Sequence, residues 1–404
     1  MARIVIAWEL GSGYGHVSMT RPVATALRAR GHEVAYIVRD LARAQTVLRP
    51  GTFPLLPAPI WLRSGGRPPL AHSYADILLR SGYAQAGALA GLVHGWEKLF
   101  TLLAPDLLLA DHAPTAVLAG RLREIPTALV GMPYGSPPRV SPLPELQPWD
   151  PVPESTRLAA EETTLASANA VLDAGGHGRL ERLADLFAVE ADFLCAFMEL
   201  DCYGPRMGAW YCGPTGISFS RDLTGWPEAS GPRLLVVLDA SYWDLENLLA
   251  FLGRCGMPTL ASIRDVTSEQ IARHATATLK ITGMPLDVAT LLHQADAVIS
   301  NGSLNVLHAT LLAGKPTLIL PLQLDSVLTG SRAAETGAVV MVGLARDRPH
   351  DYASLIEPLL SDPACAAAAR AFAARHAGHD PVASGMAIAD RCEALLARDG
   401  ACRA

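Results

Sequence analysis

The chain has 404 residues, half of them hydrophobic and 18% charged, with 34 Gly and 30 Pro. That length accommodates two domains of ordinary size, and the composition excludes a disordered chain, a fibrous repeat and a small disulfide scaffold. The net charge of −6 and a pI near 6.1 come with no clustered basic stripe, which argues against nucleic acid as a partner.

Strands and helices alternate from the first residue. Met1-Ala2-Arg3-Ile4-Val5-Ile6 enters a strand at once, so no secretory leader is read there. The apolar run Ile4–Trp8 is stopped by a glycine cluster, and helical spacing follows from Val17 to Arg30, with Val23 and Leu27 on one face. Gly31 ends that helix, and residues 33–38 form the next strand. The pattern recurs with strand 107–110, a helix opening near Pro114 and strand 127–130. Eight prolines between positions 133 and 153 deny helix and ladder hydrogen bonds, so this stretch reads as a loop. After a turn-rich stretch at 213–232 the alternation restarts. Strands are predicted at 234–238, 259–263, 278–281, 297–300 and 317–320, with helices at 242–252, 268–274, 287–294 and 304–313 between them. A last helix spans Met386 to Leu396. The expected class is α/β, with two doubly wound Rossmann-like parallel sheets and right-handed crossovers, and a ligand cleft beyond their carboxyl edges.

The mean hydropathy of +0.23 raises the question of a membrane span. The stretch Leu102–Ala110 is interrupted by Pro105 and Asp106, far short of the ~20 apolar residues a span needs. The seven cysteines (195, 202, 212, 255, 365, 392 and 402) show no CxxC spacing, and reduced cytoplasmic thiols are the expected reading.

Four loops at strand ends carry candidate chemistry. In Gly11-Ser12-Gly13-Tyr14-Gly15-His16, alternate glycines permit tight turning and close backbone approach to a ligand ahead of a helix N-terminus. The spacing is GxGxGH, not the dinucleotide GxGxxG. His16 is either a general base or a helix cap. Asp111, after strand 107–110, is either a plain N-cap or, if its strand neighbours the first, the hydrogen-bond partner that fixes the tautomer of His16. The loop Ser300-Asn301-Gly302-Ser303-Leu304-Asn305 opens a helix and offers backbone N–H groups to a phosphate. Asp325, in Pro321–Ser326, can accept bonds from ligand hydroxyls or cap the following helix.

Taken together, these segments resemble the GT-B glycosyltransferases that use nucleotide sugars, with MurG as a more distant relative. The opening Gly13-Tyr14-Gly15-His16-Val17, Arg21-Pro22 and Ala26–Val34 is similar to the family's GHxxP…GHeV start. Glu199–Tyr203 with Tyr211-Cys212-Gly213-Pro214 resembles the end of its N-terminal domain. Met284-Pro285-Leu286 through Ile299, then Asn301-Gly302, Gly314-Lys315-Pro316, Pro321, Asp325 and Gly337, follow its donor signature. The resemblance implies an acceptor domain over 1–218, a donor domain over 219–380 and a terminal helix at 381–404 returning to the first domain. It implies His16 as the base for an acceptor hydroxyl and Asp111 as its partner. It places the nucleotide base against Gly283, Met284 and Pro285, the diphosphate near Gly302, Ser303 and Asn305, and sugar hydroxyls on Asp325, with Ser241, Ser300, Asn301, His308 and Ser326 as further donor-site residues. Three departures stand out: Ser300 where the family has His, His308 where it has a ribose-binding Glu, and Asp325-Ser326 for its Asp-Gln pair.

The expected reaction is inverting, metal-independent transfer from a UDP- or dTDP-type sugar to a small-molecule or lipid acceptor. No DxD motif stands where it could hold a cation. No Lys or Arg is obviously placed to meet the leaving diphosphate, so backbone N–H groups and the helix dipole would do so. The acceptor pocket is expected around Gly13, Tyr14, Gly15, Trp61, Tyr83 and Tyr134, although Trp61, Tyr83 and Trp96 read equally as core. Peripheral membrane contact and a monomeric or homodimeric state stay open. The alternatives are a GT-B-like protein that binds a ligand or partner without transfer, and a sugar-nucleotide epimerase.

Overall fold

The computed structural model describes residues 1–62, 70–216, 225–284, 286–346 and 348–403. The chain divides into two compact units. The first comprises Met1–Met198, Pro205–Gly216 and Asp380–Ala404, and the second Glu199–Gly204 and Ile217–His379.

The first unit runs β1 (Arg3–Trp8), α1 (Gly15–Ala29), β2 (Glu33–Val38), α2 (Leu41–Leu48), β3 (Leu55–Pro57), α3 (Tyr74–Leu78), α4 (Ala86–Leu103), β4 (Leu107–Asp111), α5 (Pro114–Leu122), β5 (Thr127–Gly131), α6 (Glu154–Ala174), β6 (Ala191–Leu194) and β7 (Trp210–Tyr211). Its seven strands are ordered β3-β2-β1-β4-β5-β6-β7, and every pairing is parallel. Alternation along β1 sends Val5 and Ala7 into a core shared with Leu89, Val93 and Trp96 of α4 and Val117 of α5. It sends Ile4, Ile6 and Trp8 into a second core shared with Val17, Val23 and Leu27 of α1. Because helices cover both faces, these strands read as unbroken apolar runs in place of an in–out alternation.

The second unit runs β8 (Leu234–Asp239), α7 (Leu245–Arg254), β9 (Thr259–Arg264), α8 (Ser268–His274), β10 (Leu279–Thr282), α9 (Val288–Leu292), β11 (Ala297–Ser300), α10 (Leu304–Leu312), β12 (Thr317–Ile319), α11 (Leu324–Ala334), β13 (Val339–Met341), α12 (Tyr352–Ser361) and α13 (Pro363–Arg375). Its six parallel strands are ordered β10-β9-β8-β11-β12-β13. Val236 and Ile299 face α7 and α12, while Leu235 and Val298 face α9. Glu199 belongs to this unit, where Arg375 Nη1 and His376 Nε2 lie 2.8 and 3.1 Å from its Oε1.

The chain closes with α14 (Pro381–Arg403), which starts earlier than its apolar spacing predicted because Pro381 can open a helix whose first turn carries no large apolar stripe. Ile388, Ala389, Cys392 and Leu395 join the core around α1. Arg30 binds Asp390 and Glu393 at 2.6 and 2.7 Å. Among the described residues no helix is long and apolar enough to cross a membrane.

In each sheet the strand order reverses once, between β1 and β4 in the first and between β8 and β11 in the second. Chains leaving adjacent strands there depart to opposite sides and open a crevice at the carboxyl edge, the usual ligand position in such sheets.

Candidate functional site

At the first reversal the β1–β4 register sets Trp8 opposite Asp111, so both strands end level. The Gly11–Tyr14 loop turns back, and the first turn of α1 lays His16 over Trp8, ring centroids 5.0 Å apart and nearly parallel. His16 Nδ1 is 3.0 Å from both Asp111 oxygens, and both side chains are 2% exposed. An ionised carboxylate can only accept, so Nδ1 carries the hydrogen and Nε2 is the nitrogen left to take a proton. Two glycines make this pair possible. Gly11 has φ +84°, and a Cβ there would collide with His16 Nε2. Gly131 has φ +147°, and a Cβ there would fall 2.6 Å from Asp111 Oδ1.

His112 follows with φ +46°, and its carbonyl accepts the Leu10 N–H at 2.9 Å. Burial first, and then the neighbouring His16 and Arg39, lowers its pKa to about 3, so it is neutral. Tyr74 and Tyr134 flank it at 5.8 and 5.9 Å. Glu9, which sequence reasoning passed over, is buried at the end of β1 and accepts the Thr115 N–H at 2.8 Å. Burial pushes its carboxyl up to about 7, against hydrogen bonds from Thr115 and Ala116 and the charge of Arg39. It ties the end of β1 to the start of α5, which follows Asp111 at the end of β4 and the turn at His112. Nothing in local spacing marks Glu9, because its partner Thr115 lies 106 residues further along the chain.

At the second reversal Gly302 has φ +72°, and a Cβ there would lie 2.6 Å from Ile319 Cγ2. Gly302 N–H donates to Ser300 Oγ at 3.2 Å, and Ser303 is the exposed N-cap residue of α10. Asn301 spans the strand ends: its Oδ1 accepts the Asp239 N–H at 2.7 Å and its Nδ2 donates to Leu320 O at 2.8 Å. Ser241 is exposed, and its N–H donates to Asp239 Oδ1 at 2.8 Å. Ser262 Oγ donates to Met284 O at 2.9 Å, holding the exposed Gly283-Met284 turn. Asp325 is half-buried in the first turn of α11, and Asn305 is half-buried in that of α10. Pro285 lies outside the described residues.

Two expectations need correction on burial. His308 is 0% exposed inside α10, where burial first, and then the neighbouring His379 and His376, lower its pKa to about 3. It has no surface to offer a ribose in this structure, because α10 packs on both sides. Tyr83 is 0% exposed in the same core as Trp96, whereas Trp61 is 44% exposed and Tyr134 is half-buried. The carboxyl edge of the second sheet also holds a cation that the sequence did not reveal: Arg264, at the end of β9, pairs through Nε and Nη2 with Asp239 Oδ2. Strand register alone brings these two together. Among the described residues no group of three or more His, Cys, Asp or Glu is arranged to hold a metal.

No protein-family model matches the chain. A UDP-glucosyltransferase, avaP of Aspergillus versicolor, is 33% identical over 79 residues, which is 20% of this chain and 17% of that relative's length. Solved structures match far more of it. The kitacinnamycin glycosyltransferase superposes with a TM-score of 0.69 at 17% identity, covering 98% of this chain and 99% of that one. SsfS6 of Streptomyces sp. SF2575, complexed with thymidine diphosphate, gives 0.63 at 17% identity over 96% and 99%. Identity this low speaks to architecture alone. With two parallel α/β sheets, each reversing its strand order once, and near-complete superposition on glycosyltransferases, the chain has the GT-B fold.

Proposed function

We propose that the chain is an inverting, metal-independent glycosyltransferase that moves a sugar from a UDP- or dTDP-type donor to a hydroxyl of a small-molecule or lipid acceptor. The observation that carries the reading is the buried His16–Asp111 pair at the first reversal. Asp111 holds the Nδ1 hydrogen and balances the imidazolium that forms when Nε2 takes the acceptor proton. The hydroxyl oxygen then attacks the anomeric carbon, and the nucleoside diphosphate leaves. Ser303 and Asn305 at the start of α10 meet the diphosphate with backbone N–H groups, the Gly302 turn brings that helix end to it, and Asp325 with Ser326 holds sugar hydroxyls. Ser241, Ser300, Asn301 and the Gly283–Pro285 turn complete the donor side, with Gly13, Tyr14, Gly15, Trp61 and Tyr134 on the acceptor side. Because Nε2 packs on Gly11, the reading requires the Gly11–Gly15 loop to shift when an acceptor enters.

The fold neighbours support this reading, one of them carrying thymidine diphosphate and the partial relative being a UDP-glucosyltransferase. A protein that only bound a ligand would have no use for a buried acid–base pair, which weighs against the non-catalytic alternative. The test is turnover of UDP- and dTDP-sugars with a panel of phenolic, polyketide and lipid alcohols, with and without EDTA. A product of inverted anomeric configuration, formed equally with chelator, is expected. A retained configuration or a chelator-sensitive rate would overturn the mechanism.

A further inference from the structure

The carboxyl edge of the second sheet is laced by one run of side-chain bonds. Ser262 on β9 holds the Met284 carbonyl after β10, Arg264 on β9 holds Asp239 of β8, and Asn301 after β11 links Asp239 to Leu320 after β12. Within this run the Asp239–Arg264 pair is asymmetric. The Asp239 side chain is 12% exposed, and its Oδ1 accepts the Ser241 N–H; the Arg264 side chain is 34% exposed. The negative end is therefore turned inward and the positive end outward, beside the loops that carry Ser241 and Met284. Lys280, the cation on neighbouring β10, donates instead to the carbonyls of Gly225 and Trp226. The carboxylate that competes for Arg264 is Asp265, 3.9 Å from Nε and 75% exposed.

We propose that Arg264, braced by Asp239, is the cation that meets the donor's nucleoside diphosphate. The inference rests on the donor reading of this edge given above. A guanidinium already fixed at Nε and Nη2 loses little freedom when a phosphate oxygen reaches its outer face, and a charge-assisted bond of that kind is about twice as strong as a neutral one.

The test is calorimetric titration of UDP, dTDP, uridine and thymidine into wild-type, R264Q, R264K and D265N proteins at low and moderate salt. R264Q is expected to weaken diphosphate binding about tenfold or more while leaving nucleoside binding unchanged. R264K keeps the charge but loses the fork that holds Asp239, so it is expected to recover only part of the affinity, and D265N is expected to tighten the diphosphate by about twofold or more at low salt. Equal diphosphate affinity in wild type and R264Q overturns the inference, as does equal loss of nucleoside and diphosphate, which would leave Arg264 with a loop-holding role only. If R264Q does not fold, D265N carries the test, since it alters only an exposed carboxylate; no gain in diphosphate affinity then counts against the inference. A folded wild-type protein that binds neither diphosphate overturns the donor reading itself, a different result from wild-type binding that R264Q leaves intact.

Discussion

A histidine serves as a base when one ring nitrogen is held and the other is left to take the proton. In His16 the held nitrogen is Nδ1, gripped by both oxygens of Asp111. H16A is expected to lower kcat by about 10²–10⁴-fold, the usual worth of a positioned general base. D111N should lower it by at least about 10²-fold by allowing the wrong tautomer, with a folded protein in both cases by circular dichroism. A D111N variant of near-normal rate would remove Asp111 from the mechanism. Glu9 supplies a separate prediction. Its folded pKa of about 7 lies above the ordinary value of 4.5, so the folded state holds a proton that the unfolded chain releases. Stability conferred by that proton is full below about 4.5 and is lost as pH rises toward 7, a change on the order of 3 kcal/mol. His112 and His308 act with the opposite sign: their lowered pKa values withdraw stability as pH falls from 6.5 toward 3. Comparing urea midpoints of wild type and E9Q at pH 5 and pH 8 subtracts the histidines. The wild type should lose stability relative to E9Q at pH 8, and parallel behaviour would show that Glu9 does not titrate there.

Local signals made the elements legible. Ser268–His274 and Ala297–Ser300 end where their spacing and flanking residues predicted, since Thr267 caps the one and Asn301-Gly302 turns the other. The same locality explains what was missed. Helical spacing at His308 cannot say that α10 is covered on both sides, and an aromatic at Tyr83 reads alike as pocket wall or core. Arg264 and Asp239 meet through parallel register across 25 residues, which no window of sequence displays. Asn301 offers a test of the proposed donor role of the second sheet's carboxyl edge. N301A leaves the Asp239 N–H and the Leu320 carbonyl unsatisfied by their present partner, a loss of about 1–3 kcal/mol. The expected result is that much lower stability together with weaker nucleotide binding; undiminished binding would separate Asn301 from the donor loops.

At the scale of the whole molecule the twofold α/β alternation was readable because each βα unit repeats its own punctuation of glycine, proline and capping residues. The return of the chain's end was not readable from pattern. It depends on Arg30 meeting Asp390 and Glu393 and on Gly385 fitting beside Pro22, contacts about 360 residues apart in sequence. The Glu199–Gly204 segment, which groups with the second unit through Arg375 and His376, is another long-range feature. The proposed function stands or falls on this architecture binding a nucleotide-sugar donor. Titration of the purified protein with UDP, dTDP, GDP and ADP, with and without EDTA, tests it most directly. Saturable binding of UDP or dTDP, unchanged by chelator, is expected. Failure of a demonstrably folded protein to bind either one would contradict it.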